Sequence, residues 1–518
     1  MKRLLTILAL TLASASGSLA LAQAKIMNPG EAVGQLVFLS VDDVQTNSEK
    51  FKSLTPLSIP VFAELPMDLS VVAGTITLKQ QNLLSHVQLK SRARHTPNLD
   101  ISSLEGGMSA DLLKDFADGD WIRLLLGVDG SILIERSDEA AATVFYKSKK
   151  REPVTLKSDL SVTQIFAHAE LGWRDADKVG SKAANYAELA KALNTPEHTV
   201  VRPGFAIPFY YYHQFIEQNP QIKAAIEQAV RDPLMDKVAK VDYREKKLQN
   251  IRDLMLAETA VIDPQLIEEL IAKFNTHQSA GLPRKMKLRS STNSEDLPNF
   301  NGAGLYDSIS YKPSKDGKER KHEKKIESLK EALRGVWSSV WNLRAWDERN
   351  VFQIPHLDVM MGIQVNPSFE DEGVSGVVVS KNVIGDLSIS GRAVYIEAQR
   401  GDEFSVANPI ANIRPEKILV QVDAASPLNV DAYVIKIVER SNISDDGLSI
   451  LPGDNMAPIM SDAEIKDLAF QVMKADGHFK PLLGLNTPDF SLDLEFKVDA
   501  TDTGTRQVYL KQSRPYID

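Results

Sequence analysis

Residues 492–515 read LDLEFKVDATDTGTRQVYLKQSRP, and this stretch says most about how the chain folds. Apolar and polar residues alternate through Leu492–Phe496, which is the two-residue period of a strand with one buried face. The same period returns in Gln507–Pro515. Two adjacent strands would gather four polar side chains on one face, namely Asp493, Glu495, Gln512 and Arg514.

Such a polar face can serve two purposes. Oxygen ligands suit Mg²⁺, which keeps several waters and takes few protein ligands besides substrate phosphates. Cross-strand ion pairs on a solvent-facing hairpin have the same pattern. The stretch alone leaves both interpretations open.

Two further segments carry groups that suit phosphate. Gly180-Ser181-Lys182 joins a glycine turn to a helix start, where an ammonium group can meet a phosphate. Residues 288–298 read LRSSTNSEDLP and are followed by the glycine-containing segment Asn301–Gly304. An arginine fork with flexible backbone donors suits a polyphosphate. An ordinary helix start and a plain polar loop are the alternatives.

His86 is a candidate nucleophile. It stands in residues 83–98, which read LLSHVQLKSRARHTPN. Imidazole is neutral and nucleophilic near pH 7, because its unperturbed pKa is about 6.5. The basic stretch after it predicts a helix, whose N-terminus and arginines would stabilise an acquired phosphate. A histidine of the surface or of the core is the alternative.

The first residues predict export. Lys2 and Arg3 precede the apolar run Leu4–Leu12, and Ala22-Gln23-Ala24 matches an A-x-A cleavage site. We therefore predict a signal peptide over residues 1–24 and a periplasmic or secreted product. The apolar run is too short for a membrane-spanning helix, so we expect no membrane insertion.

Composition narrows the range of partners. The chain has 518 residues and no cysteine, so it forms no disulfides, and its length suggests two to four domains. Its formal charge of −9 becomes −11 once Lys2 and Arg3 are removed. This acidity argues against nucleic acid or an anionic membrane as the main partner.

The charged, proline-ended segment Lys147–Pro153 predicts a domain boundary. Before it, Pro60–Pro66 and Leu69–Ile76 are typical of strands or strand edges, and Val128–Gly130 predicts a hairpin turn. After it, the basic run Lys315–Lys325 predicts a solvated loop or a helix start.

From about Lys178 to Arg514 the chain resembles the ATP-grasp nucleotide-binding half of pyruvate phosphate dikinase and phosphoenolpyruvate synthase. Eight landmarks carry the resemblance: Gly180-Ser181-Lys182, Arg202-Pro203-Gly204-Phe205, Arg289-Ser290-Ser291, Glu295-Asp296-Leu297-Pro298, Trp337-Ser338-Ser339, Ser375-Gly376-Val377, Asp493-Leu494-Glu495 and Gln512-Ser513-Arg514-Pro515. Ser85-His86, Arg92 and Thr96-Pro97 resemble the swivelling phosphohistidine domain of the same enzymes.

The domain order is similar to that of the C-terminal half of α-glucan, water dikinase, because the histidine segment comes first and no room remains for a pyruvate-binding barrel. Gln81 and Asn82 replace the usual glycines before the histidine. The resemblance implies a mixed α/β (α+β) fold. A swivelling phosphohistidine domain (residues 25–150) would precede a linker (151–160) and a two-lobed ATP-grasp domain of the PEP/pyruvate-binding type (161–518).

The resemblance also implies a dikinase reaction with ATP as co-substrate and Mg²⁺ as cofactor. The β-phosphate would pass to His86 and the γ-phosphate to water, giving AMP and inorganic phosphate. The residues implied for catalysis are His86, Arg289 and Arg514. Those implied for nucleotide binding are Lys182, Arg289, Gln364, Glu495 and Gln512. Those implied for the metal are Asp493, Glu495 and Gln512.

The phosphate acceptor is open. A glucan or another carbohydrate is the first expectation. A phosphotransferase for an antibiotic-like or pyruvate-like small molecule and a nucleotide-binding protein without turnover are the alternatives. We interpret Phe209–Tyr212 and the tryptophans 337, 341 and 346 as packing residues rather than a sugar platform. Whether the chain forms a homodimer is left open, and the scarcity of ATP outside the cytoplasm is the main objection to an exported kinase.

Overall fold

The computed structural model of the chain describes residues 24–66, 69–81, 84, 86–102, 112–149, 151–279, 285–295, 297, 300, 302, 304–315, 318–369, 373–389, 391–401, 406, 413–444, 457–483, 490–500 and 504–516. At 86, 87, 89 and 277–279 it describes the backbone alone. The predicted signal peptide lies outside the described residues, apart from its last position.

A mixed sheet of seven strands forms the first part of the molecule. Its strands are β1 (Lys25–Asn28), β2 (Gly30–Leu39), β3 (Ser58–Phe62), β4 (Thr75–Thr77), β5 (Asn98–Asp100), β6 (Trp121–Leu126) and β7 (Ile132–Arg136). Their order is β1-β5-β4-β3-β2-β6-β7, with parallel pairing from β2 to β5. The structure describes in this part the helices α1 (Val41–Gln45), α2 (Glu49–Lys52), α3 (His86–Arg94) and α4 (Glu139–Ser148).

Two of the strand predictions hold only in part. The hairpin around Val128–Gly130 is confirmed as β6 and β7. The strand predicted at Pro60–Pro66 spans Ser58–Phe62 instead, and that predicted at Leu69–Ile76 begins only at Thr75. Val71 and Val72 are buried without joining the ladder, so their apolar character reflects packing rather than strand pairing.

An antiparallel sheet of five strands lies at the centre of the second part. Its strands are β8 (Phe166–Ala167), β9 (Phe205–Ile207), β10 (Met286–Thr292), β11 (Ser308–Tyr311) and β14 (Met361–Pro367), in the order β11-β10-β14-β9-β8. A short ribbon of β12 (Ser314–Lys315) and β13 (Lys318–Glu319) follows β11.

Eight helices of the described residues accompany this sheet. They are α5 (Ala176–Val179), α6 (Ser181–Leu193), α7 (Phe209–Glu217), α8 (Pro220–Arg231), α9 (Val241–Leu256), α10 (Pro264–Ser279), α11 (His322–Ser338) and α12 (Leu343–Phe352). The start of α11 inside the basic run Lys315–Lys325 confirms a helix start there. Phe209, Tyr211 and Tyr212 are buried, as are the tryptophans 337, 341 and 346, which confirms that they are packing residues.

An antiparallel sheet of six strands completes the second part. Its strands are β15 (Val374–Val379), β16 (Arg392–Arg400), β17 (Glu416–Val422), β18 (Val434–Glu439), β19 (Leu492–Ala500) and β20 (Arg506–Pro515), in the order β18-β17-β16-β15-β19-β20. One face packs on α6 and on α13 (Asp462–Leu482). The other face, called here the polar face, carries Asp493, Glu495 and their cross-strand neighbours.

The predicted mixed α/β class is confirmed by these sheets and helices. Of the helices that the structure describes, none combines the length and the apolar character needed to cross a membrane.

Candidate functional site

Strands β19 and β20 bring together the four polar residues predicted from their alternation. Asp493 lies opposite Arg514, and Glu495 lies opposite Gln512. The intervening apolar residues of β19 belong to the core on the other face. The predicted convergence is therefore confirmed, while the chemical roles of the four residues stay predictions.

A second wall forms where helix α6 meets strand β10. Gly180 precedes α6 with φ +86°, a conformation that favours glycine, and a Cβ there would lie 2.3 Å from the carbonyl oxygen of Ser291. The Ser291 hydroxyl oxygen accepts a hydrogen bond of 3.0 Å from the Ala183 N–H. It thereby satisfies one donor of the first helical turn. This close packing places Lys182 beside strand β10, which carries Arg289.

The two walls enclose a cavity of about 160 Å³. Five of the predicted site residues line it, namely Lys182, Arg289, Glu495, Gln512 and Arg514. Glu295, Tyr306, Ser308, Ser513 and the glycines 302 and 304 complete the lining. The arginine and the glycines that suited a polyphosphate in the sequence thus face the same space as the strand pair whose oxygen ligands suited Mg²⁺.

Three cations of this region form ion pairs with carboxylates. The Lys182 ammonium lies 3.0 Å from Oε1 of Glu295. Arg514 donates to Oδ2 of Asp493 from both Nε and Nη2, at 2.8 Å each. The third pair joins Lys511 to Glu495.

Arg289 differs from these cations. Its Nε is buried and makes no hydrogen bond to any residue that the structure describes. A buried donor without a partner costs about 1–3 kcal/mol, more when the group is charged. The arginine is therefore arranged for a partner other than the described side chains, and an anionic ligand in the cavity would supply one.

Burial and charge together set the acidity of the acidic residues. Burial would raise the pKa of Glu495, but Lys511 and Arg289 outweigh it and hold that pKa well below its ordinary value. At Asp493 burial prevails over the opposing charge of Arg514 and raises the pKa. Burial also lowers the pKa of Lys511 to about 8, although Glu495 opposes the shift. Glu495 is thus the carboxylate that stays ionised.

The donor set fits Mg²⁺. Glu495 offers a carboxylate and Gln512 an amide group from the opposite strand position. Oδ1 of Asp493 is buried without a hydrogen-bond partner among the described residues. Within those same residues, no group of three or more His, Cys, Asp or Glu side chains could hold a metal. A sparse set of this kind suits an ion that also binds waters and substrate phosphates.

Gln364 lies beside this site but not in the cavity wall. It pairs with Arg289 in the register of β10 and β14 and is fully buried. Its amide Nε2 donates to Oδ1 of Asn366 at 3.4 Å, and its Oε1 has no partner in the described part of the chain. The cavity lining does not include it. Its predicted role in nucleotide binding stays a prediction.

Helix α3 begins at His86, so the predicted helix is confirmed; the side chain of His86 is not described. Leu84 is buried in a cluster with Val377, Tyr395 and Tyr516 on the polar face of the six-stranded sheet. Arg92, further along α3, donates to the hydroxyl of Tyr516. Tyr516 follows Arg514 by two positions. The backbone of the histidine segment therefore packs on the sheet that also forms a wall of the cavity.

A buried ion pair anchors the other end of α3. Arg94 pairs with Glu348 of helix α12, and the two side chains are only 4% and 2% exposed. Arg94 also donates to the carbonyl oxygens of Leu69 and Ser70, at 2.9 Å each. Because these two carbonyls belong to the first part and Glu348 to the second, Arg94 ties the two parts together.

Sequence reasoning missed three residues. Glu295 belongs to the motif Glu295–Pro298, but the sequence does not indicate that it pairs with Lys182. No pattern in the sequence indicates that Lys511 pairs with Glu495 at the site. Glu397 is fully buried and accepts hydrogen bonds from the Tyr395 hydroxyl, at 2.8 Å, and from the Leu84 N–H. Alternation through strand β16 could have placed Glu397 on the polar face.

The cavity lies between two sheets and beside a helix start, and its three cations suit a phosphorylated ligand. Residues 176–517 match the family described as pyruvate phosphate dikinase, AMP/ATP-binding domain. The chain belongs to this family, and the resemblance found in its motifs is confirmed. It is also 24% identical over 371 residues to a phosphoenolpyruvate synthase of Aeropyrum pernix, a match that covers 65% of this chain and 40% of the relative. The chain thus spans less than half the length of that relative.

Proposed function

We propose that the chain is an ATP-dependent phosphotransferase of the dikinase type. The imidazole of His86 takes the β-phosphoryl group of ATP, and the bond to the oxygen shared with the α-phosphate breaks, so AMP leaves. Water takes the γ-phosphoryl group as inorganic phosphate, and the oxygen between β and γ stays with the β-phosphorus. The phosphoryl group then passes from His86 to an acceptor, which restores the imidazole.

One observation carries this proposal: the helix that begins at His86 packs on the sheet that carries Glu495 and Arg514. A phosphoryl group moves only when nucleophile and phosphate share one site. The packing of Leu84 and Arg92 on the polar face keeps the backbone of the candidate nucleophile at that sheet.

The cavity residues have distinct proposed roles. Lys182, Arg289 and Arg514 hold phosphate oxygens, which suits their charge and their convergence on one space. Glu495 and Gln512, with Asp493 nearby, hold Mg²⁺, which neutralises phosphate charge when it is bound. We propose that Gln364, which lies on strand β14, takes part in binding the nucleotide.

We further propose that the first part (residues 25–150) is a swivelling domain, that residues 151–160 are its linker and that residues 161–518 form an ATP-grasp domain with two lobes. Arg151 stacks over the ring of Phe352 at 4.0 Å, and the Val154 N–H donates to the Gln353 carbonyl oxygen at 3.2 Å. A swing of the first domain has to release the contacts of α3 and the stacked Arg151.

The acceptor and the location complete the proposal. We propose a glucan or another carbohydrate as acceptor, which the domain order supports, and export through a signal peptide at residues 1–24. A small-molecule acceptor and nucleotide binding without turnover are the alternative outcomes.

Labelled ATP tests the proposal. The mature chain is incubated with Mg²⁺ and with ATP labelled at the β- or at the γ-phosphorus. We expect acid-labile label on the protein from the β-position alone, with AMP as product, and none in the His86→Ala variant. Label from the γ-position, or no label despite ATP binding, contradicts the proposal. The phosphorylated protein is then offered glucans and small molecules to identify the acceptor.

A further inference from the structure

Lys511 owes its position to an irregularity in the ladder of β19 and β20. Glu495 pairs with Gln512 and the next residue, Phe496, pairs with Leu510, so Lys511 is the extra residue of a β-bulge. In a bulge two residues of one strand stand opposite one residue of the other, and the side chains are re-aimed. Lys511 and Gln512 thus both stand opposite Glu495.

The bulge gives Glu495 a cation of its own. The Lys511 ammonium lies 2.9 Å from Oε2 of Glu495, and the two side chains are 18% and 26% exposed. Arg289 is close enough for its charge to act on both. The carboxylate that best suits a divalent cation is therefore already paired with an ammonium group.

The Lys511 ammonium occupies Oε2 of Glu495, and a divalent cation on either oxygen of the same carboxylate would be repelled by this nearby positive charge. The stem of lysine is long and flexible, so the ammonium can turn to another anion while its backbone stays in the bulge. The phosphates of a nucleotide in the cavity are the anions that would arrive together with the metal.

We propose that Lys511 is a fourth phosphate-binding cation of this site and that it rests on Glu495 until a divalent cation takes that carboxylate. The inference rests on the proposed nucleotide and metal site and is independent of transfer to His86. Lys511 thus competes with the metal for Glu495 when no nucleotide is bound. It contacts the phosphates when nucleotide and metal are both bound.

The test uses the full mature chain with Mn²⁺ as the probe, whose free concentration is read by electron paramagnetic resonance. Without nucleotide, Lys511→Met should bind Mn²⁺ about tenfold more tightly than the wild type, because the competing ammonium is gone. In the same variant the affinity for ATP at saturating Mg²⁺, where Glu495 binds the metal and Lys511 is released to the phosphates, should fall about tenfold, measured by calorimetry. Lys511→Arg keeps a cation at this position and should therefore keep the wild-type affinities for Mn²⁺ and for ATP.

Lys417→Met is a matched control. The Lys417–Glu439 pair has an N–O distance of 2.7 Å and exposures of 13% and 24%, and Lys417 lies on the polar face in the row that contains Glu495. It lies three strands from Glu495, which is ~14 Å at the usual strand spacing. This variant should leave both affinities unchanged.

An unchanged or weaker Mn²⁺ affinity in Lys511→Met, or an unchanged ATP affinity, overturns the inference. Lys511→Gln, which keeps a hydrogen bond to Glu495, replaces it if the methionine variant does not fold, with the same two expected shifts. A failure of phosphoryl transfer in the labelling experiment leaves these affinities as they are, so the two failures can be told apart.

Discussion

The ion pair between Arg94 and Glu348 is the contact through which docking of the histidine helix can best be tested. Glu348→Gln removes the negative charge and keeps nearly the same shape. Arg94 then stays buried with only neutral acceptors, which are the amide oxygen at position 348 and the carbonyl oxygens of Leu69 and Ser70. We expect the variant to release the helix from the second part while each part stays folded.

The magnitude follows from burial. Removing one partner of a buried ion pair costs about 3–5 kcal/mol, because an uncompensated charge is left in a dry site. Both side chains of this pair are less than 5% exposed, so little solvent screening applies. Undocking lets Arg94 reach water and limits the loss, so we take about 3 kcal/mol, which raises the undocked fraction by about 100-fold.

Trypsin at the linker reports the undocked fraction. Arg151 stacks on Phe352 while its guanidinium also donates to the Ala93 carbonyl oxygen, so cleavage after Arg151 requires opening of this contact. When opening and closing are fast, the cleavage rate follows the open population. We expect cleavage after Arg151 to speed up by about 100-fold in Glu348→Gln, with the fragments identified by mass so that cuts after the exposed Lys147 and Lys149 are counted separately.

Glu227→Gln is the control for this experiment, because it makes the same chemical change in an exposed pair on helix α8, where such pairs contribute under 1 kcal/mol. A cleavage rate in Glu348→Gln that equals the wild-type rate, or a rise that Glu227→Gln shares, would refute the idea that this pair holds the parts together.

Three further predictions address the site and its surroundings. Gly180→Ala should lower the free energy of unfolding in urea by on the order of 3 kcal/mol, because the positive φ and the nearby Ser291 carbonyl leave no room for a Cβ. An unchanged free energy would show that α6 is not packed closely on strand β10. Arg289→Met should weaken ATP binding at least ~10-fold in calorimetry, since its Nε has no partner among the described residues and is available to a phosphate. An unchanged affinity would remove Arg289 from the site. Burial raises the pKa of Glu397 from 4.5 to about 7 against the charge of Lys417, so the folded state holds this proton more tightly than the unfolded state. The free energy of unfolding should therefore fall by up to ~3 kcal/mol as pH rises from 4.5 to 7. Glu397→Gln should remove most of this pH dependence of the free energy of unfolding. If the variant keeps the same pH dependence, other groups cause it.

The sequence predicted best what depends on short periods. Alternation in residues 492–515 placed Asp493, Glu495, Gln512 and Arg514 on one face, because a strand has a side-chain period of two. Gly180 marked the start of α6, since only glycine tolerates the turn there.

What the sequence could not show depends on distant partners or on one inserted residue. Arg94 and Glu348 are 254 positions apart, and no pattern in the sequence connects them. The bulge at Lys511 changes the facing of a single side chain, which alternation cannot reveal. Asn293 stood among groups that suit phosphate, yet its Nδ2 donates to the carbonyl oxygens of Lys157 and Asp358 instead.

Peptide mapping after incubation with β-labelled ATP tests the central claim most directly. The protein is phosphorylated in the presence of Mg²⁺, digested at alkaline pH to preserve phosphohistidine, and its peptides are separated and sequenced by mass. We expect one labelled peptide, which contains His86, and loss of this label in Arg514→Met while the protein stays folded. Label on another peptide, or full labelling without Arg514, would contradict it.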